Sequence, residues 1–87
     1  MIAKEKESLQ DYIAAINPDA LFADGLDDAL IGHGGQFNQV VAVYSTEKAL
    51  DIFEKDGMSR DEAREHFDFN VVGAWVGENT PIFVDLF

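Results

Sequence analysis

Apolar residues recur along this chain with two different periods. Leu9, Tyr12, Ile13 and Ile16 fall at i, i+3, i+4 and i+7, the spacing that lines one face of an α-helix. Asn17-Pro18 ends that pattern, because asparagine tolerates a left-handed cap and proline cannot continue a helix. Between residues 20 and 45 the apolar positions form short runs instead: Leu21-Phe22-Ala23, Ala29-Leu30-Ile31-Gly32 and Val40-Val41-Ala42-Val43-Tyr44. These predict strands, the first resting on three residues only, and the other two joined through Gly34-Gly35 by a connection longer than a tight hairpin. Helical spacing returns at Ala49, Ile52 and Phe53, in a helix capped by Ser45 or Thr46, reaching about Asp56 and closed by Gly57. Ser59-Arg60-Asp61-Glu62 has the form of a capping box, with Met58 where a hydrophobic staple belongs. It opens a third helix whose inner face is Ala63, Phe67, Val71, Ala74 and Trp75. Gly77-Glu78-Asn79 is a turn, and Thr80-Pro81 leads into a final strand over residues 82–86.

The predicted order is therefore α-β-β-β-α-α-β. Strands cluster rather than alternate with helices, which points to a single α+β domain spanning residues 1–87. Its three- to four-stranded sheet, mainly antiparallel or mixed, is covered by three helices on one face.

Composition sharpens this picture. A chain of 87 residues buries only about 60–65% of its unfolded surface, so its stability margin is thin. There is no cysteine, which excludes a disulfide framework, a cysteine nucleophile and a thiolate metal site, and fits the cytoplasm. The core must come from apolar side chains, which make up 47% of the chain. No run approaches the roughly 20 apolar residues of a membrane span. The start of the chain carries charges of both signs and lacks the apolar stretch of a secretory signal.

Charge is the strongest compositional signal. Seventeen acids against six bases give a net charge of −11. That disfavours direct contact with nucleic acid or an anionic membrane, since both require lysine and arginine. It favours a basic partner, a cation, or simple solubility. Asp24, Asp27 and Asp28 lie within five residues of each other, His33 follows, and no cation occurs between Lys6 and Lys48. Carboxylates and an imidazole near flexible backbone could hold a divalent cation or form the general base of a small hydrolase. The spacing matches no calcium-binding loop, however, and no nucleophile stands out. Gly32, Gly34 and Gly35 lack the spacing, the lysine and the following helix of a phosphate-binding loop. No catalytic residue, metal ligand or cofactor-binding residue is assigned.

Two acidic rows lie on the predicted helices: Glu47, Asp51 and Glu54 at i, i+4, i+7, and Asp61, Glu65 and Asp68 with the same spacing. Rows of carboxylates on a rigid scaffold can imitate a phosphate backbone. Lys48, Lys55, Arg60 and Arg64 share these helices, and Asp51–Lys55 and Arg64–Asp68 stand at ordinary ion-pair spacing. The loop carrying Asp24, Asp27 and Asp28 is thus the least compensated acidic segment. Trp75, Phe83 and Phe87 are aromatic enough to anchor a contact, with Phe83 and Phe87 the candidates for self-association.

The segments Asp27-Asp28-Ala29-Leu30-Ile31-Gly32, Val41-Ala42-Val43-Tyr44, Asp56-Gly57-Met58-Ser59 and Glu62-Ala63 precede a longer block, Phe67-Asp68-Phe69-Asn70-Val71-Val72-Gly73-Ala74-Trp75-Val76-Gly77-Glu78-Asn79-Thr80-Pro81-Ile82-Phe83. Together they resemble a family of small uncharacterised proteins of phage and prophage genomes, over about residues 17 to 85, and the last block is the most specific part. The resemblance carries no catalytic residues. It implies an accessory protein in the bacterial host cytoplasm during infection, a context in which small acidic proteins inhibit host defence systems stoichiometrically. The expectation is a non-enzymatic binding protein for a basic, nucleic-acid-binding host protein. A self-associating scaffold module is the alternative, and a small metal-dependent hydrolase at Asp24, Asp27, Asp28 and His33 ranks behind both.

Overall fold

The computed structural model describes residues 2–72 and 76–86, with side chains over residues 9–71 and 76–86. Ala74, Trp75 and Phe87 lie outside the described residues. The elements run α1 (Ile2–Ile16), a 3-10 turn (Asp27–Ala29), β1 (Leu30–Gln36), β2 (Gln39–Ser45), α2 (Thr46–Lys55), α3 (Arg60–Phe67), a π-helical turn (Asp68–Val72) and β3 (Ile82–Val84). The protein is a single small α+β domain with a three-stranded sheet. Among the described residues no helix is long and apolar enough to cross a membrane.

Capping sets the helix starts. Ser45 accepts from the Lys48 amide at the head of α2. Ser59 and Glu62 form the reciprocal capping box of α3 at 3.1 and 2.8 Å, an arrangement worth about 1 kcal/mol at the cap residue alone. Only part of each predicted apolar stripe is buried. On α1, Ile13 is enclosed and Leu9 packs against the core, while Tyr12 and Ile16 are exposed. On α2 the enclosed residues are Ala49 and Leu50, with Ile52 and Phe53 at the margin.

The sheet has the order β1-β2-β3 and is mixed. β1 and β2 pair antiparallel, whereas β2 and β3 run parallel, with Tyr44 opposite Phe83. A parallel neighbour requires a crossover, and α2 and α3 lie between β2 and β3 in the chain. Leu21-Phe22-Ala23 is extended coil and not a strand. Its amides go to unlike acceptors, Leu21 to the Asn79 carbonyl at 3.3 Å and Ala23 to the Tyr44 hydroxyl at 2.8 Å, so no ladder forms.

The β1–β2 connection is tighter than the glycines suggest. Gly34 and Gly35 lie within β1, and the turn is Phe37-Asn38, both left-handed with φ of 51° and 63°. A two-residue hairpin turn of this hand normally takes Asn-Gly, because both positions need positive φ. Inside the strand the space at Gly34 is tight: a Cβ there would sit 3.3 Å from Val43 Cγ2.

The core joins Ile13, Leu26, Leu30, Tyr44, Leu50 and Phe67. Tyr44 is fully buried and stacks on Phe83 at 5.1 Å, and Phe83 meets Phe67 edge-on at 5.2 Å. Each such aromatic pair adds about 0.5–1.5 kcal/mol beyond its area. Phe83 therefore belongs to this packing ladder, which leaves it less available for self-association.

Asn17 plays a different part from a left-handed cap. Its φ is not positive, and at 6% exposure it is a buried node. Its amide donates to the Val40 carbonyl and to Asn79 Oδ1, both at 2.8 Å, and its oxygen accepts from the Asp19 amide at 3.1 Å. Substitution Asn17→Ala should lower stability by about 2–3 kcal/mol, because buried acceptors lose their donor. Asn17→Asp should cost a similar amount, since a carboxylate cannot donate. Urea denaturation checks both, and a loss below about 0.5 kcal/mol for either would remove Asn17 as a structural node.

Candidate interaction surface and adjoining cleft

The three carboxylates of residues 24–28 do not converge. Asp24 borders a cleft beside the coil of residues 21–26. Asp27 accepts from Gln10 Nε2 at 3.4 Å, which turns it toward α1. Asp28 lines a groove of about 250 Å³ against α2, shared with Lys48, Asp51 and Lys55. Distance in sequence hid these cations: Asp28 is unopposed along the chain but not in space. His33 lies on β1 with its ring 5.1 Å from that of Tyr12. Among the described residues no group of three His, Asp or Glu side chains is placed to hold a metal ion.

The α2 row is organised by one guanidinium. Arg60, at the first position of α3, reaches Glu47 and Glu54 at 2.6 Å each and Asp51 at 3.2 Å. Hydrogen bonds donated to Glu54 and then Glu47 hold the Arg60 pKa above the usual guanidinium range. The pairing is exposed and clamps the two helices together across their connection. Arg64 pairs with Asp68 at 3.5 Å, as the i, i+4 spacing predicts. Asp61 and Glu65 are exposed and form no ion pair among the described residues. Every described carboxylate side chain is exposed, while both arginines are engaged within the molecule.

Beside this surface lies a cleft of about 420 Å³ between the 21–26 coil, α2, the π-helical turn and the lead-in to β3. Phe22, Leu26, Phe53, Val71 and Phe83 give it an apolar lining, and Asp24, His66, Asn70 and Thr80 supply the polar groups. The His66 ring stands edge-on to Phe53 at 4.7 Å. Asn70 Nδ2 lies 3.2 Å from His66 Nδ1. The adjacent Phe69 points outward and is 79% exposed.

Phe53, Asn70 and Val71 were invisible as a group in the sequence. The only hint was the His66/Asn70 pair at i, i+4, a spacing that brings side chains together on any helix. Behind the cleft, burial raises the Tyr44 pKa, the hydrogen bond from Ala23 opposes that rise, and the charges of Asp27 and Asp24 reinforce it.

None of three comparisons, with protein-family models, curated proteins and solved structures, gives a match to this chain.

Because the folded pKa of Tyr44 lies above the ordinary phenol value, the folded state holds a proton that the unfolded chain releases above about pH 10. Its contribution to stability is complete below that pH and is lost as pH rises through the folded pKa. Chemical denaturation across pH 9–11.5 should show a decline that is shallower in Tyr44→Phe, and equal slopes would contradict the assignment. Arg60→Ala leaves three neighbouring carboxylates unscreened. Its melting temperature should fall most at low ionic strength and recover toward wild type in 1 M salt, where the Debye length is about 3 Å. Arg64→Ala, which breaks a single longer pair, should show a smaller salt-dependent change.

Proposed function

We propose that this protein is a non-enzymatic binding protein whose acidic exterior engages a basic partner, and that it acts as a phage-type accessory factor in the cytoplasm of a bacterial host. The partner class is a nucleic-acid-binding host protein, with defence components the leading candidates. Its basic groove would accept carboxylates in place of phosphates. The observation that carries this reading is the internal use of both described arginines while every described carboxylate faces solvent. The molecule thus presents anionic charge with little cationic relief, a field that draws in basic proteins and repels nucleic acid.

The α2 row contributes less than its spacing suggests, because Arg60 offsets part of it. Successive carboxylates on such a row rise about 6 Å and then about 4.5 Å along the helix axis, against about 3.4 Å of duplex axis per phosphate of one DNA strand. Weight therefore falls on the loop of Asp24, Asp27 and Asp28 together with Asp61 and Glu65 on α3.

The test is capture from bacterial lysate with a tagged chain, with partners identified by mass spectrometry. A partner that is basic, is released by moderate salt and is displaced by added DNA supports the proposal. The double reversal Asp27→Lys/Asp28→Lys, which leaves Asp24 in place, should weaken binding of that partner at least tenfold, or about 1.4 kcal/mol. Undiminished affinity after reversal, or recovery of only further copies of the same chain, would count against it.

A further inference from the structure

The cleft beside Asp24 has a composition that the acidic surface alone does not explain. Its walls are apolar, with Phe53 and Phe83 among them. Asp24 is the one carboxylate among its described lining residues, and none of those is a lysine or arginine. Asn70 also lines the cleft and offers a further acceptor. Asn70 commits its amide nitrogen to His66, and its side-chain oxygen accepts no hydrogen bond among the described residues. The cleft thus offers two acceptors over aromatic surface. That set suits a planar, donor-rich cation on an apolar stem, because a guanidinium carries five N–H donors and stacks on aromatic faces, while its methylene stem tolerates an apolar wall.

We infer that this cleft receives an arginine side chain of a basic protein partner, the stem lying against Phe53 and Phe83 and the guanidinium bonding to Asp24 and the Asn70 side-chain oxygen. The inference rests on the binding role proposed above and adds to it an anchor point. Charge complementarity selects the occupant: Asp24 is the one Asp, Glu, Lys or Arg among the described lining residues, and the chain as a whole is acidic. At about 420 Å³ the space takes an arginine and an adjoining apolar side chain. Interfaces draw most of their affinity from a few such anchors, among which arginine is over-represented.

The experiment uses the intact chain and two defined probes, the capped dipeptide acetyl-Phe-Arg-amide and its citrulline counterpart, which is nearly isosteric but uncharged. Amide shifts are followed by NMR during titration. The arginine probe should produce saturable shifts at Ala23, Phe53, Asn70 and Phe83, with the citrulline probe binding roughly fivefold more weakly, the upper range for an exposed charge pair. Asp24→Asn, a change at an exposed position, should reduce the arginine probe to the citrulline level. Shifts that do not saturate, shifts centred elsewhere, or equal binding of the two probes would overturn the inference. So would an Asp24→Asn variant that keeps the preference. The assay needs no partner, so its failure is separable: a basic partner lost on reversal of Asp27 and Asp28, combined with a silent dipeptide, removes the anchor and leaves the acidic-surface role standing.

Discussion

Tyr44 is the side chain on which the rest of this fold converges. It sits on the central strand, between Leu30 on one neighbour and Phe83 on the other, and it is fully buried. The ring supplies the apolar mass that a small core needs, and the hydroxyl accepts from Ala23 at 2.8 Å. A buried phenol left without a partner would cost about 1–3 kcal/mol. Here the same group also satisfies an amide of a segment that has no strand to pair with. One residue thereby holds the sheet, the parallel β3 and the 21–26 coil in fixed relation. The acidic loop and the cleft wall both hang from that coil, so their placement depends on the Tyr44–Ala23 contact as much as on their own residues.

The charge distribution follows from the same economy of core. With so few enclosed residues, the interior cannot bear an uncompensated polar atom, and among the described residues no buried side-chain nitrogen or oxygen lacks a partner. The described Asp, Glu, Lys and Arg side chains are left to the surface, where repulsion among acids acts against the compact state. Arg60 relieves it where two helices meet and the carboxylates are densest, with three anions on one planar cation. Elsewhere the acids separate by facing different neighbours, as Asp24, Asp27 and Asp28 do. This arrangement lowers repulsion without neutralising the molecule, and it also explains why these residues form no chelating group.

Features governed by local chemistry were legible in the sequence. The capping box at Ser59 and Glu62, the Ser45 cap, the helix end at Ile16 and the Arg64–Asp68 pair each depend on residues within four positions of one another, and each is present. Features settled by distant contacts were not legible. Gly34 and Gly35 carry the local signature of a turn, yet the constraint on Gly34 comes from Val43 across the strand pair. The turn falls instead on Phe37, a residue with no preference for positive φ, and on Asn38. Asn17 reads as a cap by its neighbours but is a buried donor to residues 23 and 62 positions away. The parallel pairing of β3, and with it the cleft between Phe53 and Phe83, results from a crossover that no short-range pattern encodes. Of the candidate interaction residues, the sequence supplied the acids but not which of them an arginine already holds.

That last distinction bears on how such a surface could discriminate among partners. A field of exposed carboxylates attracts any basic protein, accelerates encounter and weakens with salt. By itself it offers little selectivity, because each exposed pair is worth at most about 1 kcal/mol. Selectivity requires a place where water is excluded and shape matters, so that an ill-fitting partner leaves polar groups unsatisfied. The cleft is the described feature that combines apolar walls with acceptors, and the exposed carboxylate Asp24 is part of its lining. Attraction over a broad area and discrimination at one recess are separable properties. In this fold they are held together by the buried Tyr44 hydroxyl that accepts from Ala23.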